Sequence, residues 1–337
     1  MLRTIVVPNK YKPVLNLRET AEAIHFSKKK FQEQLELHLN LIQVPSPVLL
    51  QEGTGINDNL NGVERIVSFD ALDMEEGQIE VVQSLAKWKR IALKTYGFQV
   101  GEGLYTDMNA IRRDEWMDNL HSIYVDQWDW EKVIAEDKRN LATLKEEVRK
   151  IYRSIQATEQ ELCSQYTCLE PILPDQIFFI TTQELENQYP DLTPKERENE
   201  IARQYGAVFI MQVGGLLNSG IVHDGRSPDY DDWTLNGDIL LWYPVLEQAL
   251  EVSSMGIRVD AAALEKQLGL SQANERASLE FHQSVLKSEL PFTIGGGIGQ
   301  SRLCMFLLRK AHVGEVQASV WNHRTWRECQ EGNIPLL

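Results

Sequence analysis

Residues 295–302 combine glycines with a terminal arginine, a pattern suited to binding phosphate. Their sequence is Gly-Gly-Gly-Ile-Gly-Gln-Ser-Arg. Glycines let a backbone approach a ligand closely, and the Arg302 guanidinium offers a planar cationic fork to phosphate oxygens. The GK[ST] ending of a P-loop and a well-placed GxGxxG dinucleotide fingerprint are both missing. The glycines alone therefore favour an ordinary glycine-rich turn where a helix and a strand cross closely.

Two further groups of residues could carry charge chemistry. Arg112 and Arg113 precede two acidic residues, although such a cluster is more often a solvated turn. Asp238 and Glu251 lie on predicted strands that follow the acidic residues 229–233 in the sequence. Carboxylates on a buried strand are costly unless they bind cations, and Mg²⁺ commonly takes one or two carboxylates plus substrate phosphates. A surface hairpin with exposed acids explains the same spacing.

The elements that must position these groups begin with a helix. Asn16 and Glu19 form a capping-box pattern, and apolar residues recur at helical spacing from there to residue 39. The sequence therefore predicts one long amphipathic helix. Two prolines then forbid helix over residues 42–50, which should be extended near the edge of a sheet.

Residues 120–130 have the composition of a strand. Alternation places two triplets on opposite faces, Val125, Gln127 and Asp129 on one and Tyr124, Asp126 and Trp128 on the other. Further strands are predicted at 79–82, 177–182, 207–213, 239–243 and 245–252, and helices at 131–165, 260–269, 274–288 and 303–308. Because unequal insertions separate the strands, the pattern favours an α+β fold with a mainly antiparallel sheet.

Composition restricts the class of protein. The chain of 337 residues is 43% hydrophobic, which is ample for a core, and we expect a single catalytic domain over 1–337 with an extension at 1–15. Its 34 basic and 49 acidic residues give a net charge of −15, which disfavours nucleic acid as a partner. Four dispersed cysteines favour reduced thiols. No apolar stretch is long enough for a membrane span, so we expect a cytoplasmic protein.

In chain order, these segments resemble the three signature motifs of class II aminoacyl-tRNA synthetases. The long helix with residues 41–50, including Pro47, is similar to motif 1, which forms the dimer interface in that family. Arg112 with its acidic neighbours is similar to motif 2, and residues 295–302 are similar to motif 3. Each motif is weak alone, but their order and spacing make coincidence improbable.

A more specific resemblance is to the ammonia-dependent asparagine synthetases, relatives of aspartyl-tRNA synthetase, from about residue 16 to the end. The strings that carry it lie at 53–62, 84–90, 101–106, 124–131, 235–240, 253–260 and 295–303. Two departures stand out. Gln83 replaces a histidine of some members, and the connection around Trp233 is shorter than in longer members.

The resemblance implies conversion of L-aspartate, ATP and ammonia to L-asparagine, AMP and diphosphate through β-aspartyl-AMP, with Mg²⁺ and a homodimer. It implies catalytic roles for Lys89, Arg112 and Arg302, ATP contacts from Arg112, Ser122, Gly297 and Arg302, and Mg²⁺ ligands in Asp238 and Glu251. It implies an aspartate site formed by Asp58, Ser84, Gln127, Asp129, Arg226, Tyr230, Asp231 and Ser254. Ammonia is the expected nitrogen donor because position 2 is Leu2 and no cysteine has an evident catalytic partner.

Two alternatives remain at this stage. An aspartyl-tRNA synthetase shares the adenylation step, but it needs a tRNA-binding module for which the chain has no room beyond its catalytic core. An inactive relative that binds aspartate, asparagine or nucleotide and regulates a partner is the second. The presence of Arg112, Arg302, Asp238 and Glu251 favours the enzyme.

Overall fold

The computed structural model describes residues 5–58, 60, 64–74 and 77–337. Residues 59, 61 and 62 of the resembling string at 53–62, and residues 1–4 of the expected extension, lie outside this part. The described strands are β1 (Leu41–Gln43), β2 (Leu49–Gln51), β3 (Ser68–Phe69), β4 (Ile79–Val81), β5 (Gly103–Ile111), β6 (Tyr124–Val133), β7 (Phe178–Thr181), β8 (Ala207–Met211), β9 (Asp231–Tyr243), β10 (Gln248–Arg258) and β11 (Thr293–Gly299). The described α-helices are α1 (Leu17–Leu39), α2 (Ala86–Thr95), α3 (Leu141–Gln165), α4 (Thr182–Gln188), α5 (Pro194–Tyr205), α6 (Ala261–Leu270), α7 (Glu280–Leu286), α8 (Gln300–Leu307) and α9 (His323–Glu331).

Eight strands form one large sheet in the order β1-β5-β6-β11-β10-β9-β8-β7. The two outermost pairs, β1 with β5 and β7 with β8, are parallel, and the pairs between them are antiparallel. A small antiparallel sheet, β2-β4-β3, lies outside it. The predicted α+β fold with a mainly antiparallel sheet is therefore confirmed.

Helix α1 forms as predicted, with both halves of the capping box present at Asn16 and Glu19. Its buried stripe, which includes Phe31, Leu35 and Leu39, packs against α3 and the sheet in the main hydrophobic cluster. The rings of Phe31 and Trp128 lie 4.7 Å apart between centroids. This contact fixes α1 to the strand that also carries functional candidates on its other face.

The predicted alternation along β6 is confirmed for Trp128 on one face and for Gln127 and Asp129 on the other. Trp128 and Trp130 are fully buried in the main cluster with α1 and α3, whereas Gln127 and Asp129 line a cavity on the opposite face. Because side chains of a strand alternate between faces, β6 joins the core to this cavity. Asp126 also borders the cavity, since it lies near the start of the strand.

The expectation of a glycine-rich turn at 295–299 is wrong, because these residues form most of the central strand β11. An added Cβ on Gly296 would lie 2.4 Å from the Ser254 carbonyl oxygen, and one on Gly295 would lie 2.0 Å from Glu131 Oε2. The glycines therefore allow neighbouring backbone and charged side chains to approach β11 more closely than any side chain permits.

Some predicted boundaries also differ. The helix expected at 131–165 begins at Leu141, because β6 continues to Val133. The strands expected at 239–243 and 245–252 are the halves of a longer hairpin, β9 and β10, which extends to Asp231 and Arg258. In each case hydrogen bonding to neighbouring strands extends the strand over polar residues that alternation alone does not assign.

The described part of the expected N-terminal extension packs against the end of the chain. Ile5 belongs to a small cluster with Ala311, Cys329 and Ile334, and Val6 N donates to Asn119 Oδ1 at 2.7 Å. Within the described part of the chain, no helix is both long and apolar enough to cross a membrane.

Candidate active site

A cavity of about 440 Å³ lies over the central strands of the large sheet. Fourteen of the fifteen predicted site residues line it, namely Ser84, Lys89, Arg112, Ser122, Gln127, Asp129, Arg226, Tyr230, Asp231, Asp238, Glu251, Ser254, Gly297 and Arg302. The remaining one, Asp58, is buried and accepts a hydrogen bond from Ser227, which does line the cavity. The structure therefore brings residues from distant parts of the sequence into one place.

The floor of the cavity contains a buried ion pair. Lys89 Nζ on α2 lies 2.8 Å from Asp129 Oδ1 and 2.9 Å from the Gly296 carbonyl oxygen. Burial lowers the pKa of Lys89, and Asp129 only partly restores it. A cation in such a site gains from a further anionic group, so a substrate carboxylate is a suitable ligand for Lys89.

A second buried charge network adjoins the first, and the sequence analysis missed it. Arg258 Nη2 donates to Glu131 Oε2 at 2.7 Å, and Arg258 Nη1 donates to Asp231 Oδ1. Thr293 Oγ1 completes the set by donating to Glu131 Oε1 at 2.7 Å. Although burial opposes ionisation, Arg258 holds the pKa of Glu131 below its usual value.

A sequence signal for this network was available. Glu131 continues the strand face of Gln127 and Asp129 by one more alternation, but the expected helix start at residue 131 removed it from the strand. Arg258 also lines the cavity. It adds a second cation close to Lys89 and Asp231.

Residues 226–233, here called the wall segment, form one side of the cavity. Arg226 Nη1 donates to Ser254 Oγ at 2.6 Å, and Arg226 Nη2 donates to Asp238 Oδ1 at 2.5 Å. Burial opposes the charge of Arg226, but Asp238, Asp231 and Tyr230 together outweigh it and raise the Arg226 pKa. Burial raises the pKa of Tyr230 in the same segment, so its hydroxyl stays protonated and can donate.

A buried cluster behind the wall segment is centred on Asp229. Its carboxylate accepts from Ser227 Oγ at 2.7 Å and lies 2.9 Å from His282 Nε2 and 3.5 Å from Lys87 Nζ. Asp58 lies in the same cluster, where burial raises its pKa to about 6. The acids expected on an exposed hairpin in the alternative interpretation are thus buried and paired here.

The same cavity is also lined by the predicted phosphate-binding arginines, Arg112 and Arg302. Arg302 Nη1 donates to the Glu251 carbonyl oxygen at 3.2 Å and lies 3.9 Å from Glu251 Oε1. Arg112 directly follows β5 in the chain, and its backbone N–H donates to the Ile123 carbonyl oxygen at 2.8 Å. Ser122 Oγ lies 3.0 Å from Ser319 Oγ.

Several buried polar atoms around the cavity have no hydrogen-bond partner within the described chain. They are Arg112 Nε, Asp129 Oδ2, Arg226 Nε, Ser253 Oγ and Gln317 Oε1, and Asp58 Oδ2 adds a sixth behind the wall. Buried polar groups in folded proteins are nearly always paired. The concentration of such atoms here indicates a site that is completed by a polar, charged ligand.

The chemistry of the acidic residues fits a magnesium ion shared with substrate. Asp238 and Glu251 lie on adjacent strands and both border the cavity. The described part of the chain has no group of three or more His, Cys, Asp or Glu residues able to hold a metal ion. Two carboxylates are nevertheless sufficient when substrate phosphates supply further oxygens.

Gln83, the departure from the resembling family, does not line the cavity. Its side chain is fully buried, and both of its amide atoms lack a hydrogen-bond partner among the described residues. Its backbone N–H donates to Asn57 Oδ1 at 2.9 Å. Gln83 therefore adjoins the site through the segment that contains Asn57 and Asp58 and through its chain neighbour Ser84, which lines the cavity.

Comparison with solved structures identifies the class of fold. The asparaginyl-tRNA synthetase of Pyrococcus horikoshii, complexed with asparaginyl-adenylate, matches with a TM-score of 0.64 over 90% of this chain and 70% of that chain, at 14% identity. The Entamoeba histolytica enzyme in complex with the same adenylate matches with a TM-score of 0.63 over 89% of this chain and 66% of that chain, at 9% identity. This chain has the class II aminoacyl-tRNA synthetase fold.

Sequence comparison identifies the family. Residues 18–333 match the family model for aspartate–ammonia ligase. The aspartate–ammonia ligase of Clostridium perfringens is 59% identical over 336 residues, 100% of both chains, and that of Levilactobacillus brevis is 56% identical over 333 residues, 99% of both. The chain belongs to the aspartate–ammonia ligase family, and it is therefore a ligase that forms a carbon–nitrogen bond.

Proposed function

We propose that this protein converts L-aspartate, ATP and ammonia to L-asparagine, AMP and diphosphate in two steps at the cavity described above. The aspartate β-carboxylate attacks the α-phosphorus of ATP, which gives β-aspartyl-AMP and releases diphosphate. Ammonia then attacks the β-carbonyl carbon, AMP leaves, and the nitrogen loses a proton. Adenylation is needed because an unactivated carboxylate has a poor leaving group, and AMP replaces it with a good one.

The observation that carries this proposal is the set of unpartnered buried polar atoms around the cavity, among which two belong to arginines and one to a carboxylate. A zwitterionic amino acid and a polyphosphate together supply both kinds of partner. Aspartate alone offers anionic groups for the guanidinium atoms and an ammonium group for the carboxylate atom.

Aspartate fits the end of the cavity formed by α2, β6 and the wall segment. Lys89 and Arg258 are the cations available to its α-carboxylate, and Asp231 and Asp58 are the acceptors for its α-ammonium group. Gln127, Asp129, Arg226, Tyr230, Ser84 and Ser254 complete the expected contacts. Two cations held in fixed ion pairs cost little reorganisation when the substrate binds.

ATP would bind against Arg112, Ser122 and Arg302 and reach Gly297, which pairs with Ser254 and Asp129 in the sheet. Arg112, whose Nε atom is unpartnered, would contact the α-phosphate and the reacting carboxylate, and Arg302 would contact the outer phosphates. Asp238 and Glu251 would hold Mg²⁺. When bound, this ion neutralises phosphate charge and orients the diphosphate leaving group.

Ammonia rather than glutamine is the proposed nitrogen donor. Glutamine hydrolysis requires a nucleophilic thiolate, yet Cys304 and Cys329 are buried and burial raises the pKa of each to about 12. Of the other two cysteines, Cys163 lies in the C-terminal half of α3 and Cys168 lies just after this helix. Neither lines the cavity.

A cytoplasmic homodimer formed through α1 and the following residues is the proposed assembly, with the whole chain acting as one catalytic domain. Leu37, Ile42, Val48 and Leu49 are exposed apolar residues on this part of the structure. An apolar group of this kind favours a protein contact. Sedimentation of the purified protein tests it, since a dimer should have twice the mass of the chain.

The deciding experiment measures asparagine, AMP and diphosphate formation from purified protein with ATP, Mg²⁺ and aspartate. We expect asparagine and AMP to form in equal amounts when ammonium is supplied, and much more slowly with glutamine. EDTA should stop both products. Aspartate-dependent exchange of diphosphate into ATP without asparagine would instead indicate an adenylating enzyme with another acceptor, and the proposal would then be wrong.

A further inference from the structure

Gln267 on α6 holds the wall segment from its outer side. Its Nε2 donates to the Pro228 carbonyl oxygen at 2.8 Å and to the Asp231 carbonyl oxygen at 2.9 Å. Its Oε1 accepts from the Trp233 backbone N–H at 2.9 Å. One buried side chain thus satisfies three backbone groups within six residues of the wall segment.

The residues held in this way face the candidate aspartate site. Tyr230 and Asp231 line the main cavity, and the Asp231 carboxylate is fixed on that side by Arg258. Gln267 itself does not line the main cavity; it acts on the backbone that carries these side chains. Any shift of this backbone would move both side chains relative to a bound amino acid.

The outer side of the wall segment is not supported by packed core. A second cavity of about 460 Å³ lies there, and both Gln267 and Trp233 line it. The Trp233 indole lies flat against Gly214, where an added Cβ would be 2.8 Å from the ring. With open volume beside Asp232 and Trp233, the three hydrogen bonds of Gln267 restrain this backbone together with the bond from the Val259 N–H to the Tyr230 carbonyl oxygen and the Arg139–Asp232 ion pair.

Only a side-chain amide of this length can hydrogen-bond all three backbone groups, which are two carbonyl oxygens and one N–H. Glutamine supplies two donors and an acceptor at one end of the side chain, an ionised glutamate supplies acceptors only, and methionine has the length without either function. Two backbone carbonyls facing a glutamate would lose their donor and meet a negative charge.

We propose that Gln267 is a positioning residue that sets the affinity for aspartate by holding residues 228–233 in place. This inference rests on the proposed function, since it requires aspartate to bind beside Tyr230 and Asp231. Gln267 does not line the main cavity, and Tyr230 and Asp231, which it holds in place, belong to the proposed aspartate site and not to the proposed ATP site. Its effect should therefore fall on one substrate and not on the other.

The test compares Gln267→Met and Gln267→Glu with the wild-type protein in steady-state asparagine synthesis and in calorimetric binding of aspartate. We expect the KM for aspartate to rise about tenfold in Gln267→Met, equivalent to about 1.4 kcal/mol, and further in Gln267→Glu. The KM for ATP and the kcat at saturating aspartate should stay within about threefold, which is about 0.65 kcal/mol. Lys266→Met is the matched control, because Lys266 is exposed on the same helix and borders the same second cavity.

An unchanged KM for aspartate in both variants overturns the inference. So does an equal loss in the aspartate and ATP parameters with a lower Tm, because that result indicates a general structural role. If these variants do not fold, Gln267→Asn decides, since it keeps an uncharged amide on a side chain one methylene shorter and should still raise the KM for aspartate and not that for ATP. A wild-type protein that makes no asparagine would refute the proposed function, and the two failures are thus distinguishable.

Discussion

Replacing Lys89 with methionine should damage both the stability and the activity of this protein. Lys89 is 1% exposed and lies 2.8 Å from Asp129 Oδ1. Methionine keeps much of the side-chain volume but leaves the Asp129 carboxylate buried without its cation. Removal of one partner from a buried ion pair costs about 3–5 kcal/mol, a large part of the ~5–15 kcal/mol that typically separates folded from unfolded protein.

A double-mutant cycle separates the loss of the pair from the loss of the side chain. Asp129→Asn added to Lys89→Met removes the unpaired charge, so the double variant should recover up to about 3 kcal/mol of the free energy of unfolding, the upper end for residues in contact. It should recover no synthesis, because the proposed carboxylate-binding cation is still absent. Calorimetric titration with aspartate measures the loss of substrate binding separately from the change in folding stability.

The measurement is urea unfolding followed by tryptophan fluorescence, with initial rates of AMP formation on the same preparations. Lys94→Met is the matched control, since Lys94 is exposed on the same helix and surface changes usually stay within about 0.5 kcal/mol. A loss of less than about 1 kcal/mol in Lys89→Met would refute the buried-pair argument. Full aspartate binding in that variant would refute the substrate role.

Three further predictions concern other parts of the site. Arg302→Ala should lower the rate of synthesis about 100- to 1000-fold, as expected for loss of a charge-stabilising donor, with little change in the free energy of unfolding; retained turnover would contradict its phosphate role. Because burial raises the pKa of Asp58 from 3.8 to about 6, the KM for aspartate should rise as pH falls below about 6. In Asp58→Asn, the KM for aspartate should stay constant over this pH range. The same shift means that the folded state holds this proton more tightly than the unfolded state, so the Asp58 contribution to stability falls as pH rises from about 4 to about 6. Gly295→Ala places a Cβ 2.0 Å from Glu131 Oε2 and should destabilise the protein by about 3 kcal/mol in urea unfolding, whereas Gly269→Ala, whose nearest contact would be 3.9 Å away, should be neutral or stabilising.

The strand face of Gln127 and Asp129 was predictable because strand alternation is a local property of the chain. Both residues line the cavity as expected, and Trp128 packs in the core. Glu131 was missed because strand and helix patterns overlap near the end of β6, where only pairing with β5 and β11 decides. Local periodicity therefore supported the placement of Gln127 and Asp129, which the family resemblance implied, but it did not give the full extent of the site.

The glycine stretch shows the opposite limitation. Glycine is depleted in strands, so local propensity favours a turn at 295–299, yet these residues pair with β6 and β10 in the middle of the sheet. The cause is non-local, because Glu131 and Ser254 occupy the space that side chains would need. The Gln267 contacts were likewise invisible in the sequence, since they join α6 to a segment more than thirty residues away.

The order of the strands also has a consequence for local unfolding. Strands β6, β11 and β10 each have hydrogen-bonded neighbours on both sides, whereas β2, β3 and β4 form a separate sheet of two- and three-residue strands in which β2 and β3 are mostly exposed. Amide hydrogens in the central strands should therefore exchange with solvent only through global opening, and those of the small sheet through low-energy local opening. The floor that carries Asp129 and Gly297 would then keep its geometry while the small sheet opens and closes many times between global unfolding events.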